Sequence, residues 1–395
     1  MSTDPGAGLD AAVSALHAAG ISRVRSFAWR DLDDPDAGGS EVHADEIFSR
    51  WASAGLEIVH RTSTHDRRRE FVRNGYRVEQ VGSRYTVFGR AIAAGIGRAL
   101  RRSGRCEAVV EIWNGVPWFS PVWHRGPGVV WLHHVHDQMW RDVLPGPVAP
   151  IGRALEMRLA PRWYRRSQVA TLSESSASHI VDLGIAPEHV TVIAPGVDQR
   201  FSPAPHRRGA DPLIVVVARL APVKRVQRAL EAVEMVRGTL GSVRVEVIGD
   251  GPDRQSLQRW IDDRGAGDWA RLRGRVDDDE LVDAYQRARL VLSASYAEGW
   301  GMSLTEGAAC GTPAVATDIA GHRGAVIDGV SGILVDDAAG AVGLAEAVVA
   351  VLSDSERWSR LSTGAIEHAA SLSWDAVAQR QLELLVGTLA GRSQR

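Results

Sequence analysis

Leu213-Ile214-Val215-Val216-Val217-Ala218-Arg219-Leu220-Ala221-Pro222-Val223-Lys224 reads as a strand, a short loop and the start of a helix. An unbroken apolar run bounded by turn residues suits a strand covered on both faces, as in a parallel sheet. The loop carries two cations, Arg219 and Lys224, at the carboxyl end of that strand, where open α/β sheets bind ligands. Lys224 is the only lysine in the chain; every other basic residue is arginine. Such a bias is expected of GC-rich coding. A lysine that escapes it points to a task a guanidinium cannot perform, because an ammonium is a compact point charge and arginine a broad planar fork. A tight phosphate pocket distinguishes the two. The bland alternative is a leftover surface lysine.

The same alternation continues on both sides. In the second half, candidate strands at 213–217, 243–248, 290–292, 314–316 and 333–335 alternate with candidate helices near 224–238, 253–263, 279–287, 302–310 and 340–352. In the first half, candidate strands near 24–28, 57–60, 108–112, 129–134 and 169–172 are separated by longer loops. This is the βαβ signature of parallel sheets. A chain of 395 residues exceeds one typical domain. Gly196-Val197-Asp198-Gln199-Arg200-Phe201-Ser202-Pro203-Ala204-Pro205 has linker composition. The reading is therefore an α/β chain of two doubly wound domains facing a cleft, 1–205 and 206–372, followed by a helix over 373–395 that packs back on the first domain.

Composition narrows the chemistry. A net charge of −2 argues against nucleic acid as the main partner. Two cysteines, Cys106 and Cys310, fall in different halves, so no disulfide framework is expected and a reducing cytoplasm fits. No apolar run reaches membrane-spanning length, and the first residues lack the pattern of a signal peptide. No Gly-Lys pair forms a Walker A loop, and no Gly-x-Gly-x-x-Gly, Gly-x-Ser-x-Gly or His-Glu-x-x-His occurs. A pyridoxal enzyme using Lys224 as its Schiff base stays open.

The densest segment is Ser295-Tyr296-Ala297-Glu298-Gly299-Trp300-Gly301-Met302-Ser303-Leu304-Thr305-Glu306-Gly307-Ala308-Ala309-Cys310-Gly311-Thr312-Pro313. A strand runs into a glycine-bearing loop, and a helix starts near Met302 and stops at Gly311. The helix N-terminus offers the amides of Gly301, Met302 and Ser303 to an anion. Glu298 and Glu306 flank that position, which suits hydroxyl groups on either side of a phosphate. An ordinary strand-turn-helix with two solvated glutamates is the alternative.

Glu298-x7-Glu306, Arg219-x4-Lys224 and Val247-Ile248-Gly249-Asp250-Gly251-Pro252 occur together, with Gly321-His322-Arg323-Gly324, the run Asp328-Gly329-Val330-Ser331-Gly332 and Gly196-Val197-Asp198. Jointly they resemble the retaining nucleotide-sugar glycosyltransferases of family 4 over about residues 22–385. That resemblance implies the GT-B fold of two Rossmann-like domains and a hexosyltransferase activity without metal or other cofactor. It implies that Arg219 and Lys224 grip the donor diphosphate and that Glu306 holds the ribose. Glu298 would hold the transferred sugar, and Gly299, Trp300, Gly301, Met302 and Ser303 would supply loop backbone. Trp300 stands where that family usually has phenylalanine, and Pro195 where asparagine is common.

In the first domain, Gly38-Gly39-Ser40-Glu41 precedes a helix whose apolar spacing is Ile47, Trp51 and Ala54. Ser40 is a candidate cap. The glycines alone read as a turn; the resemblance places Gly38 and Gly39 against the donor phosphate. Trp131-Leu132-His133-His134-Val135-His136-Asp137 carries three histidines, of which His134 and His136 share a strand face. The resemblance makes His136, with His134 second, the histidine near the reacting sugar, and Asp137 either orients it or caps a loop. Arg153, Arg158, Arg162, Arg165 and Arg166, interleaved with Trp163 and Tyr164, read as a solvated helix face, with an anionic membrane as the other reading. Trp113, Trp118 and Trp140 hint at an aromatic acceptor lining.

The reading as a whole is transfer of a sugar from a nucleotide diphosphate to a hydroxyl of a small molecule, glycan or lipid, with retention of configuration. It is placed in the cytoplasm, with peripheral contact at the inner membrane face left open. A catalytically inactive nucleotide-sugar-binding protein is the remaining alternative.

Overall fold

The computed structural model describes residues 5–34, 37–64, 68–83, 86–100, 107–133, 135, 149–209 and 211–390. The chain divides into two compact units, Met1–Gly196 with Trp374–Arg395, and Val197–Ser373. Residues 197–205, read above as the end of the first domain, thus belong to the second. The reason is packing: Phe201 meets the Tyr285 ring edge-on at 5.8 Å, and Gln286 donates to the Ser202 carbonyl at 2.8 Å.

In the first unit eight strands are described: β1 (Arg23–Phe27), β2 (Glu57–Thr62), β3 (Arg69–Arg73), β4 (Tyr76–Gln80), β5 (Glu107–Ile112), β6 (Gly128–Trp131), β7 (Gln168–Thr171) and β8 (Val190–Val192). Their order is β3-β4-β2-β1-β5-β6-β7-β8, parallel throughout except for the antiparallel β3–β4 pair. The direction of winding reverses between β1 and β5. The Trp374–Ala390 helix packs on the Pro5–Ala18 and Gly39–Ser53 helices, and Trp51 donates its indole N–H to the Ala378 carbonyl at 2.8 Å. Two of the tryptophans expected to line the acceptor belong instead to the core. Trp113 and Trp118 have no exposed surface and spend their N–H groups on the carbonyls of Gly115 and Ile112, so they are core residues. Trp140 lies outside the described residues.

The second unit has six parallel strands, β9 (Leu213–Val217), β10 (Arg244–Ile248), β11 (Ala270–Gly274), β12 (Leu290–Ser293), β13 (Ala314–Thr317) and β14 (Gly332–Val335), in the order β11-β10-β9-β12-β13-β14. The Val226–Leu240 helix buries Val226, Ala229, Leu230, Val233 and Val236 on the sheet, the helical spacing that follows directly after the Lys224 loop. Winding reverses between the adjacent strands β9 and β12, which pair through Leu290↔Ile214 and Val291↔Val215. The loops leaving these two strands therefore share one crevice at the sheet edge. Among the described residues no single helix is long and apolar enough to cross a membrane.

Candidate active site

The loop after β9 brings Lys224 and the loop after β12 brings Glu298. The Lys224 Nζ lies 2.8 Å from Glu298 Oε2. The lone lysine is thus a half-buried ion-pair partner, with 21% of its side chain exposed against 14% for Glu298. The loops are also joined through backbone, Tyr296 N–H donating to the Val223 carbonyl at 3.1 Å. Ser295 donates its hydroxyl to Glu298 Oε1 at 2.7 Å. His322 places Nε2 3.6 Å from the same oxygen while its Nδ1 faces the Thr317 carbonyl at 2.8 Å. Burial raises the Glu298 pKa, but the Lys224 ammonium and His322 outweigh it and hold the carboxyl well below its usual range. A carboxylate fixed on three sides is preorganised to accept hydroxyl hydrogens.

The residue after the lysine is strained. Arg225 caps the Val226–Leu240 helix with φ 43° and ψ 43°, a left-handed conformation that β-carbons disfavour. Its guanidinium is held by two partners. Arg225 Nη1 meets Asp337 Oδ1 at 2.6 Å, and its guanidinium sits 4.7 Å from the centre of the Tyr296 ring. Arg228 reaches the same Asp337 oxygen at 2.6 Å.

Arg219 is exposed on the same β9 loop. Its backbone is buttressed by the segment after β10: Ala218 N–H donates to the Ile248 carbonyl, and Leu220 N–H to the Asp250 carbonyl. Gly249 and Gly251 have φ of +129° and +156°, and a Cβ on either would lie 2.0 Å from the Ala218 oxygen or 2.4 Å from the Leu220 oxygen. The Gly-Asp-Gly motif is needed because no side chain fits against the Arg219 loop.

The Met302–Ala309 helix begins at Gly301, whose φ of +99° turns the chain into it. Gly299, Met302 and Ser303 are half-buried around that N-terminus. Trp300 is buried beside it, its ring against Gly324, where a Cβ would come within 2.4 Å of the indole. A Cβ on Gly321 would lie 2.3 Å from the Glu298 carbonyl oxygen. Gly321-His322-Arg323-Gly324 therefore forms the wall behind Glu298 and Trp300. One turn into the helix, Glu306 accepts the Tyr285 hydroxyl at 2.8 Å. Burial pushes the Glu306 carboxyl up to about 7, against the pull of that hydrogen bond.

In the first unit, Gly38 and Gly39 sit after β1, at the other winding reversal. Gly38 is the helix cap, and its N–H is taken by Glu41 Oε2 at 2.7 Å. Ser40 does not cap; it donates to Glu41 and accepts from Asn114 of the post-β5 loop at 2.8 Å. His136, His134 and Asp137 lie outside the described residues. His133 is buried, its ring 4.8 Å from that of His43.

His322, Ser295, Tyr285 and Arg225 were missed as site residues. The Gly-His-Arg-Gly motif was a signal for the first; nothing in local sequence marks the others.

Two family descriptions match adjoining parts of the chain: glycosyltransferase family 4 over residues 37–201 and glycosyl transferases group 1 over residues 198–368. A D-inositol 3-phosphate glycosyltransferase of Thermobispora bispora is 30% identical, covering 93% of this chain and 95% of its own. A second, from Catenulispora acidiphila, is 30% identical over 73% of this chain and 71% of its own. Among solved structures, sucrose-phosphate synthase from Thermosynechococcus elongatus superposes with a TM-score of 0.74 at 17% identity, over 94% of this chain and 100% of that one. Anabaena HepE in complex with UDP and glucose gives 0.72 at 17% identity, over 93% and 100%. The fold is GT-B and the class of protein is a glycosyltransferase. Within that class, the chain belongs to glycosyltransferase family 4, glycosyl transferases group 1. The pyridoxal alternative falls with that assignment, and Lys224 is engaged by Glu298.

Proposed function

We propose that this enzyme transfers a sugar from a nucleoside diphosphate sugar to an acceptor hydroxyl with retention of configuration, without a metal or other cofactor. The observation that carries this reading is the Lys224–Glu298 pair at the β9/β12 switch point, beside the helix that starts at Gly301. The anomeric C–O bond to the diphosphate breaks, and the acceptor oxygen forms its bond on the same face. The acceptor proton passes to the departing diphosphate. Charge grows on that diphosphate, and Arg219, Lys224 and the amides of Gly301, Met302 and Ser303 stabilise it. Glu298 accepts hydroxyls of the transferred sugar, and Glu306 those of the ribose. The buried Cys310, whose thiol burial pushes up to about 12, suits a reducing cytoplasm.

UDP-sugars are the first donors to test, because a structural neighbour was solved with UDP and glucose, and D-inositol 3-phosphate is the first acceptor, because curated relatives carry that name. Purified protein incubated with UDP-, GDP-, ADP- and TDP-sugars should release nucleotide in step with a glycoside whose anomeric proton shows the donor's configuration. Binding of a nucleotide sugar with no product for any acceptor would favour an inactive binding protein, and an inverted product would overturn the retaining step.

A further inference from the structure

The arginine-rich stretch before β7 forms one helical rod: Ala149–Ala154, a π-helical turn over Leu155–Leu159, and Ala160–Tyr164. Glu156, Ala160 and Tyr164, spaced by four, have no exposed surface and hold the rod on the first unit. The opposite side is exposed at Arg153, Arg158, Arg162, Arg165 and Arg166. Between the arginines two large apolar side chains stand in water, Leu159 at 39% and Trp163 at 51% exposure. The rod packs on the Ser120–Trp123 helix, which adds exposed Val122 at 43% and, just beyond it, exposed Arg125.

Along these two described segments the exposed charged side chains are arginines. Glu156 is the only acidic residue from 149 to 167, and it is buried; 113–128 contains none. A merely solvated helix face, the first reading of the sequence, would interleave both signs and keep tryptophan inside. A face that sets arginines around a tryptophan, a leucine and a valine matches an anionic interface with an apolar layer beneath it. Guanidinium stems snorkel to headgroup phosphates while the indole sits at the headgroup level. We propose that this face docks the first unit on an anionic phospholipid bilayer. The inference goes beyond the transfer reaction and does not depend on the donor site being correct.

The test is co-sedimentation of the full chain with phosphatidylcholine vesicles, with and without phosphatidylglycerol. Wild-type protein should pellet with the anionic vesicles only, and less so as salt rises. Each arginine near an anionic surface contributes about 5-fold in partitioning, so Arg158→Gln/Arg162→Gln/Arg165→Gln should bind on the order of 100-fold more weakly. Trp163→Ser should also weaken binding, since it removes the apolar anchor and leaves the charge. These side chains are exposed, and both variants should keep the wild-type melting transition, which shows that they are folded. Failure of wild-type protein to bind anionic vesicles would overturn the proposal, as would equal binding to neutral ones. Undiminished binding by the triple variant would also overturn it. If single-stranded DNA displaced the vesicles fully while Trp163→Ser bound as wild type, the face would be a polyanion surface instead.

Discussion

Replacing Lys224 with methionine removes the ammonium 2.8 Å from Glu298 and leaves that carboxylate with Ser295 and His322 alone. Truncating one partner of a fully buried pair costs about 3–5 kcal/mol, and an exposed pair contributes about 0–1. Side chains exposed by 21% and 14% lie between these limits. The expected loss is about 2 kcal/mol, equivalent to roughly 4–8 °C in Tm for a unit of this size. The loss has a defined pH dependence. Because Lys224 and His322 hold the Glu298 carboxyl below its usual range despite burial, the pair's stabilisation is present above the unfolded value of about 4.3 and disappears as pH falls through the folded value. Thermal unfolding of wild type and Lys224→Met should therefore differ near neutrality and converge in acid. Adding Glu298→Gln removes the stranded charge, so the double variant should recover part of the loss, with a coupling of about 1 kcal/mol or more. Additive losses, or a Lys224→Met deficit that persists unchanged at low pH, would refute the reasoning.

Three further outcomes follow from the same geometry. Glu306, with its carboxyl pushed up to about 7, should make nucleoside diphosphate affinity rise between pH 6 and 8 as the carboxylate forms. Its raised value also means that folded protein holds a proton the unfolded chain loses near 4.3, so its contribution to stability declines as pH rises from about 4.3 through about 7. Glu306→Gln should flatten both profiles in calorimetric titrations and melts. Gly324→Ala forces a methyl within 2.4 Å of the Trp300 ring and should cost about 1–3 kcal/mol, much of it recovered by Trp300→Phe, which removes the ring atoms it strikes; equal Tm values for the single and double variants would contradict this. Arg225→Ala keeps a β-carbon at φ +43°, whereas Arg225→Gly does not, so the glycine variant should be more stable than the alanine variant by about 1 kcal/mol in denaturant unfolding.

What the sequence disclosed follows from where the signal is local. Strands β9, β12, β13 and β14 are mostly apolar runs in a parallel sheet, β10 buries Val245, Val247 and Ile248 around two charged residues, and the helices between them carry the 3.6-residue apolar spacing. Strand β11 was not legible because Ala270-Arg271-Leu272-Arg273-Gly274 is an edge strand with two arginines pointing away from the core. The β3–β4 hairpin was hidden likewise, since Arg69, Glu70, Arg73, Arg77 and Glu79 dilute its apolar pattern. The Ser355–Ala370 helix, which packs on the Met302–Ala309 helix, also escaped notice. In the site, Lys224 stood out by its rarity and Glu298 by its glycine-rich surroundings. The contact between them needed the strand order. His322 and Tyr285 bind the two glutamates from 24 and 21 residues away, a separation no local pattern encodes. The left-handed Arg225 was illegible because its strain is held by Asp337 and Tyr296, both distant in sequence.

The most direct measurement is steady-state transfer from a nucleoside diphosphate sugar by Lys224→Arg, a change that conserves charge and alters only shape. A guanidinium fork cannot occupy the ammonium's position against Glu298 and still face a diphosphate, so kcat/KM should fall by about 10-fold or more while the melting transition remains cooperative. Wild-type kcat/KM in that variant would contradict the account of how this site holds its donor.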